Sequence, residues 1–508
     1  MQKQLQYEYK PYQMSLPVNY EHIIDSSDEV VSFMEVVGGL NLKKYIKTSK
    51  KGRQEYEAEM MLNCVLFGFM ENIRSLRQLE KTCKNDVRFM YLTKGLKPSF
   101  MAFQRFIDNK LKSSIDEILT DINKFLIDRE KIKTEILYID GTKLEANANK
   151  FSFVWKKAVL NYQAKLFLKI SRELKEINTI LGVNYSVKDS YSSDEIQVVV
   201  DELISIIDKE AIQLVYGKGV RKTTVQRHYD KIVEFQTKLA VYEYHLEICG
   251  SRNSYSKSDH DATFMHGKED YYNKVGIFKP YYNVQLGVSD EYILHCDVFH
   301  NPTDTKTYQP FMDGYYDRYS NYPKYPVCDA GYGSYDNYLY NLNKGMELCQ
   351  KYNSYSNEKT TKFEKNEFHI KNMSIEHNKL VSKSGIEYDY SHEYTSRKGQ
   401  FPQHKMVYVC SDYTEEMKLA GIPRTRSRDV VLLELQNEAK KLLDSDLGIQ
   451  LKVQRSIQVE GAFGEIKSNL GITRVTRRGK ERVQLELKLI VIGYNLKKYH
   501  SKKHRILH

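Results

Sequence analysis

The 508-residue chain has little of several features, and each shortage excludes a class of protein. Its seven cysteines are odd in number, scattered and never spaced as Cys-x-x-Cys. This usage excludes a disulfide framework and a zinc knuckle, and it favours a reducing compartment. No apolar run approaches the ~20 residues that cross a bilayer, and the polar segment after Met1 is unlike a secretory signal. We therefore expect a cytoplasmic protein with no membrane span.

The composition is that of a globular protein, with 41% hydrophobic and 28% charged residues. At this length we expect about two to four structural units, since single domains run to roughly 100–200 residues. The net charge of +11 is concentrated at one end, because residues 466–508 hold 12 basic residues against 2 acids. A solvated tail is one explanation. A basic segment directly after a candidate catalytic acid instead indicates that a polyanion approaches that acid.

Residues 1–130 have the pattern of a helical domain. Residues 73–80 carry apolar side chains at helical spacing, and the pair Pro98 and Ser99 is typical of a helix start. Arg74 and Arg77 fall on a polar face of the first of these helices. A helix-turn-helix-like DNA-binding unit fits this pattern, and an ordinary helical bundle fits it equally well.

Residues 131–508 have the pattern of an α/β domain with insertions. Alternating apolar residues around Asp140 predict a strand that is buried on one face. Proline is absent from residues 156–248, and the apolar spacing predicts a helical insertion over 156–250, formed by an antiparallel pair of long helices. Two strands are predicted over residues 281–300, joined tightly at Ser289 and Asp290. A helix follows, with Thr303 or Asp304 as its N-cap.

The last third of the chain supplies a second strand signal and more helices. A short apolar run ends in Asp329 and is followed by glycines, which predicts a strand that presents this acid at its carboxyl end. Residues 346–420 are polar and weakly patterned, so we expect a polar insertion that is rich in strands or loops. Helical spacing returns over residues 456–470, which contain Glu460, and over residues 483–499.

Asp140, Asp329 and Glu460 each lie where a regular element would present them. Divalent hard cations take oxygen ligands, and phosphoryl transfer on DNA uses two such ions ~3.5–4 Å apart. Two aspartates and a glutamate from separate elements would supply such a site. A chain with 66 acids contains many triples by chance, so these positions alone assign no function.

Four separated motifs carry more weight because they occur in one order. They are YIDGTKLEANANKFSFVWKK from residue 138, DHDATFM from 259 with PYYNVQLGV from 280, VCDAGYGS from 327, and RSIQVEGAFGEIKSNLG from 455. In this order they resemble insertion-sequence transposases of the DDE type. The resemblance covers about residues 50–150, 255–340 and 450–500.

The resemblance implies an α/β fold in which an RNase H-like mixed sheet is flanked by helices and preceded by the all-α domain. It makes Asp140, Asp329 and Glu460 the catalytic acids and the ligands of two Mg²⁺ ions, for which Mn²⁺ can substitute. The implied reaction is cleavage at the transposon ends followed by strand transfer to target DNA. A site-specific nuclease of the same fold and an inactive DNA-binding derivative are the alternatives. A glycosidase with paired carboxylates would leave the basic tail and the ordered motifs unexplained.

Many relatives carry a Tyr-Arg-Glu-Lys signature with six residues between Glu and Lys, which is the spacing of Glu460 and Lys467. Arg455 departs from this signature, since four residues separate it from Glu460 where three are commoner. Lys452 stands in place of the tyrosine. Glu465 competes for the role of third acid, but it lies ~140° around an α-helix from Glu460. We expect it to be a solvent-facing charge.

The implied partner is DNA, both the terminal inverted repeats and the target. Two ends must be brought together, so a homodimer on paired ends is expected. Basic residues from both ends of the chain are the candidate DNA contacts: Lys467, Arg455, Arg474, Arg477, Arg478, Arg74 and Arg77.

Seven further residues have a structural and a functional interpretation: Asp259, Asp261, Phe153, Trp155, His500, His504 and His508. The two aspartates either order a loop or lie close to DNA. The two aromatic residues pack in the core by default, although they could stack on an unpaired base. The histidines recur every four residues as metal ligands on a helix would, but we expect a frayed terminus there.

Overall fold

The structure is a computed structural model and describes residues 23–41, 44–46, 55–217, 219–269 and 276–505. The N-terminal part is helical, as the apolar spacing predicted. Ser99 caps one of its helices by accepting a hydrogen bond from the Ala102 backbone N–H, which satisfies an otherwise unpaired donor. The helices are α1 (Glu29–Gly38), α2 (Ala58–Met70), α3 (Leu76–Asn85), α4 (Val87–Thr93), α5 (Phe100–Phe106) and α6 (Ile115–Glu130).

The next part of the chain builds a sheet and the helical insertion. The insertion has three helices with a hydrophobic core of their own, and not the predicted pair. A polar break between α7 and α9 is long enough to hold the additional helix α8, which begins with a capping box at Ser192 and Glu195. The elements are β1 (Ile136–Glu145), β2 (Phe153–Trp155), α7 (Lys156–Leu181), α8 (Ser193–Lys209), α9 (Thr224–Cys249), β3 (Ser254–Ser256), β4 (Thr263–Glu269), β5 (Gly276–Ser289), β6 (Tyr292–Phe299), α10 (Tyr308–Tyr319), β7 (Tyr325–Val327) and α11 (Tyr335–Asn343).

The central sheet is mixed. Strand β1 pairs antiparallel with β5 on one side and parallel with β7 on the other, while β5 also pairs with β4 and β6. The predicted hairpin between β5 and β6 is present, with its turn one residue later than expected. Asp290 and Glu291 form the turn, and both have positive φ (48° and 70°), as a two-residue hairpin turn requires. Helix α10 begins after Thr307, because Asp304 starts a short 3₁₀ turn and does not cap the helix.

The polar insertion contains a second, five-stranded antiparallel sheet, which confirms the β-rich alternative. It has a small core of its own and continues to residue 428, beyond the predicted boundary. Its elements are α12 (Thr361–Glu364), β8 (Ser374–Glu376), β9 (Lys379–Val381), β10 (Glu387–Ser396), β11 (Gln403–Val409), α13 (Glu415–Leu419) and β12 (Thr425–Arg428).

The chain ends in four helices, α14 (Val430–Asp444), α15 (Asp446–Arg455), α16 (Gly461–Gly464) and α17 (Lys480–Arg505). Helix α17 is not a solvated tail. Most of its side chains between residues 483 and 499 are buried, and it packs against α1, α2, α6 and β6 in one continuous core. The predicted frayed end is therefore wrong as far as Arg505, and His508 lies outside the described residues. None of the helices described is long and apolar enough to span a membrane.

Candidate catalytic site

The first predicted acid, Asp140, lies near the middle of β1. Its carboxylate is partly buried and accepts a hydrogen bond of 2.8 Å from the Gly141 backbone N–H. Gly141 tolerates no side chain, because a carbon attached there would lie 2.7 Å from Asp304 Oδ1 and even closer to Gln285. Gly141 and Asp140 are consecutive residues of β1, so this closely packed face is opposite to the one from which Asp140 projects.

Asp329 follows β7, the parallel neighbour of β1. Tyr138 is in register with Val327, and two residues further along each chain come Asp140 and Asp329. The pairing ends at Tyr138 and Val327, so Asp329 lies just beyond the paired segment, on the side of β1 that carries β7. Burial raises the pKa of Asp140, a rise that Arg455 opposes and Asp329 increases. The sheet thus holds two carboxylates close enough to repel each other.

Arg455 balances this negative charge. Its Nη1 lies 3.0 Å from Asp140 Oδ2, and the two side chains are only 10% and 22% exposed. Directly after it, residues 456–460 form a π-helical turn. A π turn bonds residue i to i+5, so it returns Glu460 towards the side of the helix that carries Arg455. The extra residue between the arginine and the glutamate is absorbed by this turn.

Glu460 itself is exposed at the end of the π turn, which packs against β1 and β5. Within the described chain its carboxylate makes no hydrogen bond or ion pair. Glu465 is half-buried and accepts a hydrogen bond from Asn469 in the same helical segment. A meeting of Glu460 with the two aspartates stays a prediction.

Lys467 reaches the strand that carries the first acid. Its Nζ donates to Thr142 Oγ1 and lies 3.5 Å from the Lys143 carbonyl oxygen. Thr142 and Asp140 are two residues apart on β1, so they share one face of the strand. The lysine ammonium therefore lies along the face from which Asp140 projects.

A fourth acid, Asp304, also lies here, and the sequence analysis treated it only as a possible helix cap. A carbon added to Gly331 would lie 3.1 Å from Asp329 Oδ1 and 3.5 Å from Asp304 Oδ2. Burial raises the pKa of Tyr332 well above its ordinary value, and Asp304, Asp140 and Asp329 all contribute. These three negative charges therefore all act on the same buried hydroxyl. The only signal in the sequence is an acid in the connection between a predicted strand and helix.

The candidate DNA contacts are divided between surface and core. Arg474 and Arg478 are exposed near the end of β1, where Arg478 Nε donates to the Asn147 carbonyl at 2.7 Å. Arg477 is 15% exposed and pairs with Asp108 at 3.2 Å, so it joins α17 to the N-terminal helices. Arg74 lies 3.7 Å from Glu486. The guanidinium of Arg77 lies over the Phe100 ring.

The structure also favours one interpretation for some of the residues that had both a structural and a functional one. Asp259 accepts from the Tyr282 hydroxyl at 2.8 Å and from the Gly479 N–H at 3.2 Å, and Asp261 accepts from the Lys480 N–H at 2.8 Å. Both aspartates thus order the start of α17. The two aromatic residues are not core residues, because each is 37% exposed: Phe153 and Trp155.

His500 and His504 lie on α17 with their rings 4.4 Å apart, and His500 Nδ1 is 3.0 Å from Ser32 Oγ. This contact helps to join α17 to α1, so the end of this helix is packed and the histidines have a structural role. They do not form a metal-ligating group with a third described residue.

The donor set around Asp140 suits a hard divalent cation, since it consists of carboxylate oxygens. The described residues contain one group of three metal-ligating side chains within 4.8 Å of one another, and it lies elsewhere, on α7 and α9. In that group Glu173 is already satisfied by His228 at 2.6 Å and Lys231 at 3.0 Å. We assign it no metal.

Two segments of the chain match models of known protein families. Residues 410–500 match the family model described as Transposase DDE domain, and residues 17–109 match the one described as Transposase domain (DUF772). No curated protein and no solved structure matches the chain. The first match contains Glu460 and Lys467, while Asp140 and Asp329 lie between the two matches. These two segments are thus similar to transposase domains and, together with the four ordered motifs, they support a DDE-type insertion-sequence transposase.

Proposed function

We propose that this transposase cleaves DNA at the ends of its element and joins those ends to target DNA by two-metal-ion phosphoryl transfer. The observation that carries the proposal is that Asp140 lies on β1 and Asp329 directly follows β7, its parallel neighbour, with Arg455 as the counter-charge of Asp140. The topology supports an RNase H-like core. Strands β1, β5 and β6 are antiparallel neighbours, and helix α10 then leads to β7, which lies parallel to β1.

Asp140, Asp329 and Glu460 would hold two Mg²⁺ ions, for which Mn²⁺ would substitute. The bound ions would activate the attacking oxygen and stabilise the leaving one. Arg455 pairs with the Asp140 carboxylate, which offsets the cost of burying this anion. Glu460 is exposed beside β1, so its carboxylate is available to complete the site.

Phosphate would be held by basic side chains on the same side of the molecule. Lys467 lies along the Asp140 face, and its flexible stem makes it a point charge that can follow a moving phosphate. Arg474 and Arg478 are exposed near the end of β1 and would extend this contact along the duplex. Arg74 and Arg77 would supply further DNA contacts from the N-terminal helical domain. Two copies would act together, one on each end.

Asp140→Asn tests this proposal when binding and cleavage of terminal-repeat DNA are measured in parallel. The carboxylate serves the metal and not the DNA, so the variant should shift the DNA in a gel as the wild type does and cleave none. Asp317→Asn, an exposed acid on α10, is the matched control and should cleave normally. Equal loss of binding and cleavage in Asp140→Asn would contradict the role. Wild-type protein that is inactive with both Mg²⁺ and Mn²⁺ would instead indicate an inactive DNA-binding derivative.

A further inference from the structure

Asp304 lies at the paired aspartates but belongs to neither of their strands. It starts the 3₁₀ turn after β6, and its side chain reaches back to β5 and β1. A carbon placed on Gly331 would touch both Asp304 Oδ2 and Asp329 Oδ1, at 3.5 and 3.1 Å. A carbon on Gly141, next to Asp140, would touch Asp304 Oδ1 at 2.7 Å. The acid therefore lies close to Asp329 and approaches β1 on the face opposite to the one from which Asp140 projects.

We infer that Asp304 is an additional metal ligand of this site, presenting Oδ2 to the same ions as Asp140 and Asp329. The inference rests on the proposed two-metal function. Hard cations take several oxygen ligands, and a two-ion site needs more than three carboxylates or water to fill its coordination. Glu460 is exposed, whereas the described structure places Asp304 next to the loop that carries Asp329.

The orientation of Asp304 is fixed by two buried amides. Asn283 Nδ2 donates to Oδ1 at 2.9 Å, and Gln285 Nε2 donates to the same oxygen at 2.8 Å. Both amides lie on β5 and are almost fully buried. Gln285 is held in turn by the Tyr332 hydroxyl, which donates to its Oε1. The amides thus occupy one carboxylate oxygen and leave the other directed towards Gly331.

The surrounding loop is held in the same way. Thr305 Oγ1 donates to the Gly331 carbonyl at 2.7 Å, and Asn337 Nδ2 donates to the carbonyls of Thr305 and Tyr332 at 3.0 and 2.8 Å. These bonds fix the turn that carries Asp304 against the loop that carries Asp329. A helix cap would need no such connection, and α10 begins only after Thr307. The arrangement is that of a positioned ligand.

Binding of Mn²⁺ alone to the full-length protein, measured by calorimetry and by electron paramagnetic resonance of free Mn²⁺, tests the inference without relying on activity. Asp304→Asn keeps an acceptor for the two amides and removes only the charge. It should bind Mn²⁺ at least about tenfold more weakly or lose one ion, as expected when a carboxylate ligand is removed. Asp317→Asn should bind as the wild type does.

The outcomes separate the inference from the proposed function. If Asp140→Asn abolishes Mn²⁺ binding and Asp304→Asn leaves it unchanged, the inference fails and the function stands. If Asp140→Asn also binds normally, the proposed function fails. A measurement on the wild type guards against misfolded variants: Fe²⁺ with peroxide should cut the backbone near residues 140, 329 and 304. Cuts at the first two without the third would overturn the inference.

Discussion

At the scale of single residues, the site is organised around an unfavourable charge. Asp140 is partly buried beside Asp329, and both its burial and this neighbour raise its pKa. Arg455 Nη1 lies 3.0 Å from Asp140 Oδ2 and offsets the negative charge of this carboxylate. A metal ion would take over the role of the arginine, so the ion pair and the metal site are alternative ways to neutralise the same carboxylate.

Arg455→Ala should therefore destabilise the protein more without metal than with it. Breaking the pair leaves a buried carboxylate uncompensated, and we expect the free energy of unfolding to fall by about 3 kcal/mol in the presence of chelator. Mn²⁺ should restore part of this loss. Arg129→Ala breaks an exposed ion pair with Glu35 and should leave the free energy of unfolding nearly unchanged. Denaturant unfolding of both variants checks this, and equal losses would contradict the buried role of Arg455.

Lys467 can be separated from its neighbour Glu465 by the contacts each makes. Lys467 reaches Thr142 on the Asp140 face, whereas Glu465 is hydrogen bonded to Asn469. Lys467→Ala should lower end cleavage by about 10- to 100-fold, the effect of removing one charge-assisted hydrogen bond to phosphate. Lys467→Arg should recover part of it, and Glu465→Ala should be mild.

Cleavage rates and thermal unfolding of these three variants decide the matter. A Lys467→Ala variant that cleaves normally would show that the lysine is only a surface charge. A defect in Glu465→Ala as severe as that of Glu460→Ala would show that the two glutamates have exchanged roles.

At the scale of elements, period-two alternation located β1, and a short apolar run located β7, because one buried strand face leaves that mark on a sequence. The turn between β5 and β6 lies one residue later in the chain than the sequence predicted. The π turn after Arg455 was not predicted, since the helical interpretation assumed 3.6 residues per turn throughout. Asp304 was missed because its role depends on amides of β5, which no local pattern reveals.

The π turn makes a prediction about chain length. Removal of Ile457, which is 58% exposed within the turn, should convert it to ordinary helix and give the commoner three-residue spacing between Arg455 and Glu460. We expect the shortened protein to fold and to bind Mn²⁺, with the free energy of unfolding lower by no more than about 2 kcal/mol, within the range of ordinary single changes.

Removal of Asn437 from α14 is the control for this deletion. That helix contains no π turn to absorb the change, so every later side chain would rotate by about 100°. The control should be severely destabilised in the same unfolding assay. If the two deletions were equally harmful, the π turn would not be the site of an extra residue.

At the scale of the whole molecule, the basic C-terminal segment is not the solvated tail that one of the two explanations assumed. Helix α17 is basic at its ends and buried along its middle, so composition suggested a tail where the structure has a core helix. Much of its charge is used internally. Lys488 pairs with Asp116, Lys503 pairs with Glu35 at 2.6 Å, and both acids belong to the N-terminal helices. The predicted boundary at residue 130 is therefore crossed by one continuous core.

Two adjacent arginines should consequently differ in effect. Arg478→Ala should weaken binding to any DNA and reduce the log–log salt slope by roughly 0.9 for each phosphate that the variant no longer neutralises. Arg477→Ala should mainly lower the free energy of unfolding, because Arg477 is 15% exposed and pairs with Asp108. Salt-dependent gel shifts and denaturant unfolding measure both. A change in repeat preference with an unchanged slope would mean that Arg478 contacts bases.

The central claim is that this chain joins DNA with Asp140 and Asp329, and a strand-transfer assay tests it most directly. Pre-cleaved terminal repeats with free 3′-hydroxyls are incubated with a plasmid target, Mg²⁺, and either wild type or Asp329→Asn. We predict that the wild type joins the ends to the plasmid and that Asp329→Asn binds the same ends without joining them. A wild type that cleaves repeats but never joins them, or an Asp329→Asn variant that joins them normally, would contradict the account.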